Sequence, residues 1–177
     1  MQLFILDLLQ TLEKFFSAGG LVLGLITGIT FLLWLLMLER LWFLHGDYQK
    51  YSLTIQTAWL AREERHSWNA QVTRQQWISE SRVLIEHNLT LIKTLIALCP
   101  LLGLLGTVTG MIDVFSVLSF TGGGDAKLMA AGVSKATIPT MAGMVAALSG
   151  VFGNLYIGRA AKKEFYLIEE HLILDHQ

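Results

Sequence analysis

The sequence predicts an all-α membrane protein with three transmembrane helices, and three observations carry the prediction. Hydrophobic residues make up 53% of the 177 residues against 15% charged, with a mean hydropathy of +0.52. That apolar excess is too large for an ordinary soluble domain and belongs in lipid. Three stretches lack charge: 20 residues from Gly19 to Leu38, 19 from Thr94 to Ile112, and 23 from Ala136 to Gly158. At about 1.5 Å rise per residue each reaches across, or nearly across, the roughly 30 Å hydrocarbon layer. Basic residues are unevenly placed as well. Ten lie between the first two stretches or after the third, namely Arg40, Lys50, Arg62, Arg65, Arg74, Arg82, Lys93, Arg159, Lys162 and Lys163. Only Lys14 and Lys127 lie in the segments that would face the other side. The positive-inside bias therefore puts the middle segment and the tail in the cytoplasm and the N-terminus outside.

Residues 1–18 read as an amphipathic helix on the outer membrane surface, with Ile5, Leu8, Leu9, Leu12, Phe15 and Phe16 opposite Asp7, Gln10, Thr11, Glu13 and Lys14. Packing of this helix on a partner subunit fits the same pattern. The start has no basic n-region, so Met1 is expected to be retained. The first span takes 19–43, its uncharged run ending at Glu39 and Arg40 and Trp42 and Phe43 lying in the interfacial belt; Trp34, deeper, is expected against a neighbouring helix. Residues 44–92 form a cytoplasmic helical region, without proline, in which Trp59, Trp68 and Trp77 recur every nine residues and suggest a buried seam. The second span takes 93–120, an outer loop 121–128 containing Gly122 to Gly124, the third span 129–160, and a cytoplasmic tail 161–177.

The second and third spans each carry a smooth face. Gly103, Gly106, Thr107 and Gly110 follow i, i+3, i+4, i+7, and Gly106 with Gly110 makes a GxxxG, the spacing that lets membrane helices approach closely. On the third span Ala136, Thr140, Gly143, Ala147, Gly150, Asn154 and Gly158 alternate by four and three. If the two spans form an antiparallel hairpin, residues at equal depth have numbers with a constant total. Thr107 and Thr140 total 247, and Asp113 and Lys135 total 248. The threonines should share one level and the charges another, about six residues or roughly 9 Å nearer the outer surface. Charge within a bilayer is costly, so Asp113 and Lys135 are expected to face each other, a neighbouring subunit or a water-filled cavity, as a salt bridge or a charged gate. Threonine does not titrate near neutral pH, so any proton carrier must come from elsewhere.

The run from Pro100 to Ile112 (PLLGLLGTVTGMI), followed by Phe115, resembles the second-helix signature of the ExbB/TolQ/MotA proton channel family. Gly132 to Ala136 and Thr140 to Ala147 resemble its third-helix signature, so the resemblance covers roughly Cys99 to Arg159 and is closest to ExbB. It implies a multi-pass protein of the bacterial inner membrane with a periplasmic N-terminus, a cytoplasmic C-terminus and helices extending into the cytoplasm. It further implies a homopentamer around an ExbD-like single-span subunit whose membrane aspartate accepts the proton, working a TonB-like arm that energises outer-membrane transport. Thr107 and Thr140 would then line the ion pathway, with Gly103, Gly106, Gly110, Ala136, Gly143, Ala147 and Gly150 as the helix-packing face. Two positions depart from the pattern: Lys135 stands where the family commonly has glutamate, and Ser149 where it often has proline.

Other readings follow from the same features. A TolQ-like subunit serving envelope integrity fits the motifs, and a flagellar-stator-like subunit is the same machine with more spans and a larger cytoplasmic region. A passive membrane scaffold would also need smooth helices. An enzyme is not expected: His45, His66, His87, His171 and His176 have no metal or nucleophile spacing, and the glycine turn lacks the GxxxxGK[ST] of a phosphate loop. No cofactor or metal is expected, and the near-neutral net charge of −1 gives no field for nucleic acid. Cys99, the only cysteine, is expected to be a small buried residue.

Overall fold

A computed structural model describes residues 2–62, 67–121 and 126–172. The described residues form five helices and no strand: α1 (Gln2–His45), α2 (Asp47–Leu60), α3 (Trp68–Glu86), α4 (Leu89–Thr121) and α5 (Ala126–His171). Three helical stretches, Gly19–Leu60, Trp68–Phe120 and Met129–His171, are long and apolar enough to cross a membrane. The glycine turn at 122–124, His66 and His176 lie outside the described residues, as do the side chains of Ile5, Leu8, Leu9 and Leu12 on which the amphipathic reading of the N-terminus rests. The backbone there is nonetheless helical, and α1 breaks direction at Gly20 (φ 59°, ψ −155°), a conformation open essentially to glycine.

The chain divides into two compact units. The first comprises Met1–Trp34 with Thr94–Val151. Its core gathers Val22 and Ile26 of α1, Cys99 of α4, and Ala146 and Ala147 of α5, with Ile29, Leu102 and Ala142 packed against them. Hydroxyls inside the first span are satisfied locally: Thr27 donates to the Leu23 carbonyl (2.9 Å) and Thr30 to Ile26 (2.7 Å). Trp34 is exposed in this chain rather than covered by another of its helices.

The second unit comprises Leu35–Lys93 with Phe152–Gln177. Tyr48, Ile55, Trp59, Ile85, Ile92, Ile157 and Ile168 are buried in it. Ser67 caps α3 by accepting the Ala70 amide (3.3 Å). The helix ends where Asn88 takes a left-handed conformation (φ 62°), which asparagine tolerates better than most residues and which lets the chain turn into α4. Trp59 is buried and stacks edge to face on Trp77 at 6.1 Å, but Trp68 is 75% exposed. The nine-residue seam therefore fails at Trp68. Nine residues rotate about 900° around a helix, so Trp68 and Trp77 emerge on opposite sides of α3.

Two arginines close helix ends in this unit. Arg74 donates to the carbonyl of Leu172 (2.5 Å) at the end of α5. Arg40, only 2% exposed, donates to the carbonyls of Leu84 and Ile85 in the last turn of α3, and its guanidinium lies over the Phe43 ring at 4.8 Å. The last carbonyls of a helix have no partner within it and carry the negative end of the dipole, so a guanidinium there is well matched. Arg40→Met should leave both carbonyls without this donor and cost on the order of 1.5–3 kcal/mol, read as a lower melting temperature in detergent. Arg40→Lys keeps the charge at the helix end but loses the planar group that lies over Phe43, and should recover only part of it.

Candidate functional site: the α4–α5 hairpin

The α4–α5 contact is made largely by backbone. A Cβ placed on Gly143 would lie 2.5 Å from the Cys99 carbonyl oxygen and 3.2 Å from the Gly103 Cα, and one on Gly110 would lie 2.6 Å from the Ala136 Cβ. Gly106 accommodates the ring of Pro139, Gly132 accommodates Val114, and Gly150 accommodates Ile96 and Leu33. Only residues without a side chain, or nearly so, fit at these points. Residue numbers total 246 at Gly110–Ala136, Val114–Gly132 and Gly103–Gly143, and 243 and 245 at Gly103–Thr140 and Gly106–Pro139. The helices therefore run antiparallel in close to the register that sets Thr107 level with Thr140. Gly103, Gly106, Ala136, Gly143, Ala147 and Gly150 are buried, and Gly110 is half-buried.

Thr140 and Thr107 are both half-buried near this contact. The Thr140 hydroxyl crosses between helices and donates to the Gly103 carbonyl at 2.8 Å. The Thr107 hydroxyl donates within α4 to the Leu104 carbonyl at 2.7 Å. Each hydroxyl has thus given its one proton to the backbone and keeps lone pairs, so toward an incoming group both threonines present acceptors. Neither lines the cavity described next.

A cavity of about 620 Å³ lies in the same unit, its walls including Gly20, Gly106, Thr109, Asp113, Lys135 and Pro139. Asp113 and Lys135 both border it and both are exposed, yet among the described residues no ion pair within 4 Å joins them. The structure thus brings the two charges to one space, separate from the threonines. Pro139 has no place in the sequence reading, and Gly132 enters it only as part of the third-helix signature, not as a packing residue. The Pro-Thr pair inside a small-residue stripe was the available signal, because a proline within a helix removes one amide and frees the carbonyl four residues earlier, here that of Lys135 in the cavity wall.

Apolar helices long enough to cross a membrane and a hairpin closely packed through small residues define a multi-pass helical membrane protein built around the α4–α5 pair. Residues 48–170 match the MotA/TolQ/ExbB proton channel family, and the chain belongs to that family. It is similar to a Synechocystis biopolymer transport protein described as ExbB-like 1, 52% identical over 61 residues, which are 33% of this chain and 24% of the relative. It is also similar to the Vibrio cholerae biopolymer transport protein exbB1, 33% identical over 97 residues, 54% of this chain and 42% of the relative. A Synechocystis relative described as ExbB-like 3 is 36% identical over 94 residues, 49% of this chain and 42% of its own length. The matched stretches thus span less than half of each relative. No solved structure matches the chain.

Proposed function

We infer that the chain is an ExbB-like subunit of a proton-driven motor in a bacterial inner membrane, and not an enzyme. It assembles as a homopentamer, N-terminus periplasmic, around an ExbD-like single-span subunit, and works a TonB-like protein that energises outer-membrane transport. The observation that carries this reading is the pair of acceptor-only threonines on a backbone-packed hairpin. Such a surface can accept a hydrogen bond from a protonated carboxyl group but cannot itself hold the proton, so it suits a carrier aspartate brought by a partner. TolQ-like and stator-like subunits belong to the same family, and what favours the ExbB-like reading over them is that the relatives are described as ExbB or ExbB-like. Asp113 and Lys135 act as a charged gate to the outer half of the path, their shared cavity supplying the water that charges at this depth require.

The test is proton uptake into vesicles under an imposed membrane potential, followed with a trapped pH dye. Vesicles holding the chain together with an aspartate-bearing single-span partner should take up protons, and those holding either alone should not. Uptake by this chain alone, or none with the partner present and assembled, would sink the reading. In the same assay Lys135→Glu restores the family's commoner charge but sets it beside Asp113. It should reduce uptake severalfold if the pair is a gate, and leave it unchanged if Lys135 only faces solvent.

A further inference from the structure

The second unit contains a cavity of about 360 Å³ that the motor reading does not use. It is lined by Leu44 and His45 at the end of α1 and by Tyr156, Arg159, Ala160, Lys163 and Glu164 of α5. We propose that this cavity is a binding site for the phosphate-bearing headgroup of an anionic glycerophospholipid, such as phosphatidylglycerol, in the leaflet on the side of the residue 44–92 segment.

Three independent features converge there. The first is charge: Arg159 and Lys163 are exposed, and among the described residues neither is within 4 Å of a carboxylate. Two cations held without a counter-ion at a membrane boundary attract anionic lipid, and a guanidinium matches phosphate in a bidentate way. The lone carboxylate in the wall, Glu164, is half-buried and leaves a positive balance. The second is unused hydrogen-bonding capacity. His45 satisfies Nδ1 at the Leu41 carbonyl (3.0 Å), which leaves Nε2 for a ligand, and the exposed Tyr156 hydroxyl is a further donor.

The third is the direction of polarity along both helices. On α5, Phe152, Tyr156, Arg159 and Lys163 follow i, i+4, i+7, i+11 and so lie on one face, changing from apolar to aromatic hydroxyl to cationic. On α1, Leu38, Trp42 and His45 change from apolar to interfacial aromatic to polar imidazole over i, i+4, i+7, and Leu38, Trp42 and Phe152 are all exposed. Acyl chain, interfacial glycerol and headgroup follow the same order along the membrane normal, and an aromatic belt marks the middle of it. A soluble phosphate would need the cations but not the apolar approach below them. The site does not depend on the motor reading.

The experiment titrates the full chain, purified in detergent in whatever assembly it forms, with phosphatidylglycerol or phosphatidylcholine of the same acyl chains and reads bound lipid by native mass spectrometry. Wild type should hold phosphatidylglycerol at least tenfold more tightly. Each cation near an anionic lipid contributes about fivefold, so Arg159→Gln with Lys163→Gln should lose roughly 25-fold for phosphatidylglycerol and little for phosphatidylcholine. Arg159→Lys should keep most of the affinity, which guards against a folding defect in the double variant. Lys162→Gln removes an exposed charge from the adjacent position outside the cavity and should have less than half the effect of Lys163→Gln. Equal affinity for the two lipids, or equal effects at 162 and 163, would overturn the site. Displacement of the lipid by millimolar inorganic phosphate would overturn the choice of lipid over free phosphate as the ligand.

Discussion

Gly143→Ala should strip most of the folded protein from the membrane. The added methyl would meet the Cys99 carbonyl oxygen at 2.5 Å and the Gly103 backbone at 3.2 Å. Neither neighbour is the end of a flexible side chain, so relief requires α4 and α5 to separate or slide. Overpacking of this kind costs typically 1–3 kcal/mol where the structure relaxes locally, and separation of the helices would also disturb the neighbouring contacts at Gly110 and Gly150. The expected result is a membrane level, by blot, several times below wild type and a lower melting temperature in detergent. Gly24→Ala and Gly28→Ala are the internal comparison, since a Cβ at either has nothing within 4 Å in the chain. Those variants should retain the thermal stability of wild type within about 0.5 kcal/mol. If Gly143→Ala melts like wild type, the backbone contact described for the hairpin is wrong.

Thr140→Val is expected to abolish partner-dependent proton uptake while leaving the protein in the membrane. The substitution keeps the shape of the side chain and removes the hydroxyl that donates to the Gly103 carbonyl. Interhelical hydrogen bonds in membranes contribute roughly 0.6 kcal/mol on average and up to about 2, so the loss of stability should be modest. Loss of uptake should be larger than tenfold, because the acceptor lone pairs go with the hydroxyl. Thr140→Ser, which restores both donor and acceptor, should recover most of the activity. Thr107→Val sharpens the comparison: its hydroxyl donates within its own helix, to Leu104, so the substitution removes no hydrogen bond between helices. Normal level with lost uptake at position 107 would isolate the acceptor role. Full uptake in both valine variants would reduce the threonines to packing residues.

Much of the hairpin is legible in the sequence, for a simple reason. Two helices that must touch through lipid-free faces need small residues at alternating spacings of three and four, and the same residues that mark the face also set the register. Thr107 and Thr140 total 247 for a hairpin about the glycine turn, and the glycine contacts between α4 and α5 give 242 to 246. Spacing says less about which partner fills each small face. Gly106 receives Pro139 while Gly24 and Gly28 remain open, and nothing local distinguishes them. Arg40 illustrates a different limit. As a charge at the end of an apolar run it reads correctly as a boundary marker, but its side chain turns to the carbonyls of α3 forty-odd residues on, a contact set by tertiary packing. The tryptophan spacing does not make a seam because nine residues are about two and a half helical turns, which sets Trp68 and Trp77 on opposite sides of α3.

The contact between α4 and α5 also has a mechanical character. Ordinary helix pairs meet through a layer of side chains, and that layer yields under load because rotamers can change at small cost. Where glycine meets backbone at Gly103–Gly143, and glycine meets alanine at Gly110–Ala136, there are no rotamers to change. Close-packed protein matter without such freedom is stiff and passes strain on rather than absorbing it. The pair therefore behaves as a single rigid strut, and under the motor role proposed above a strut of this kind would hold its position under torque instead of dissipating it as side-chain motion.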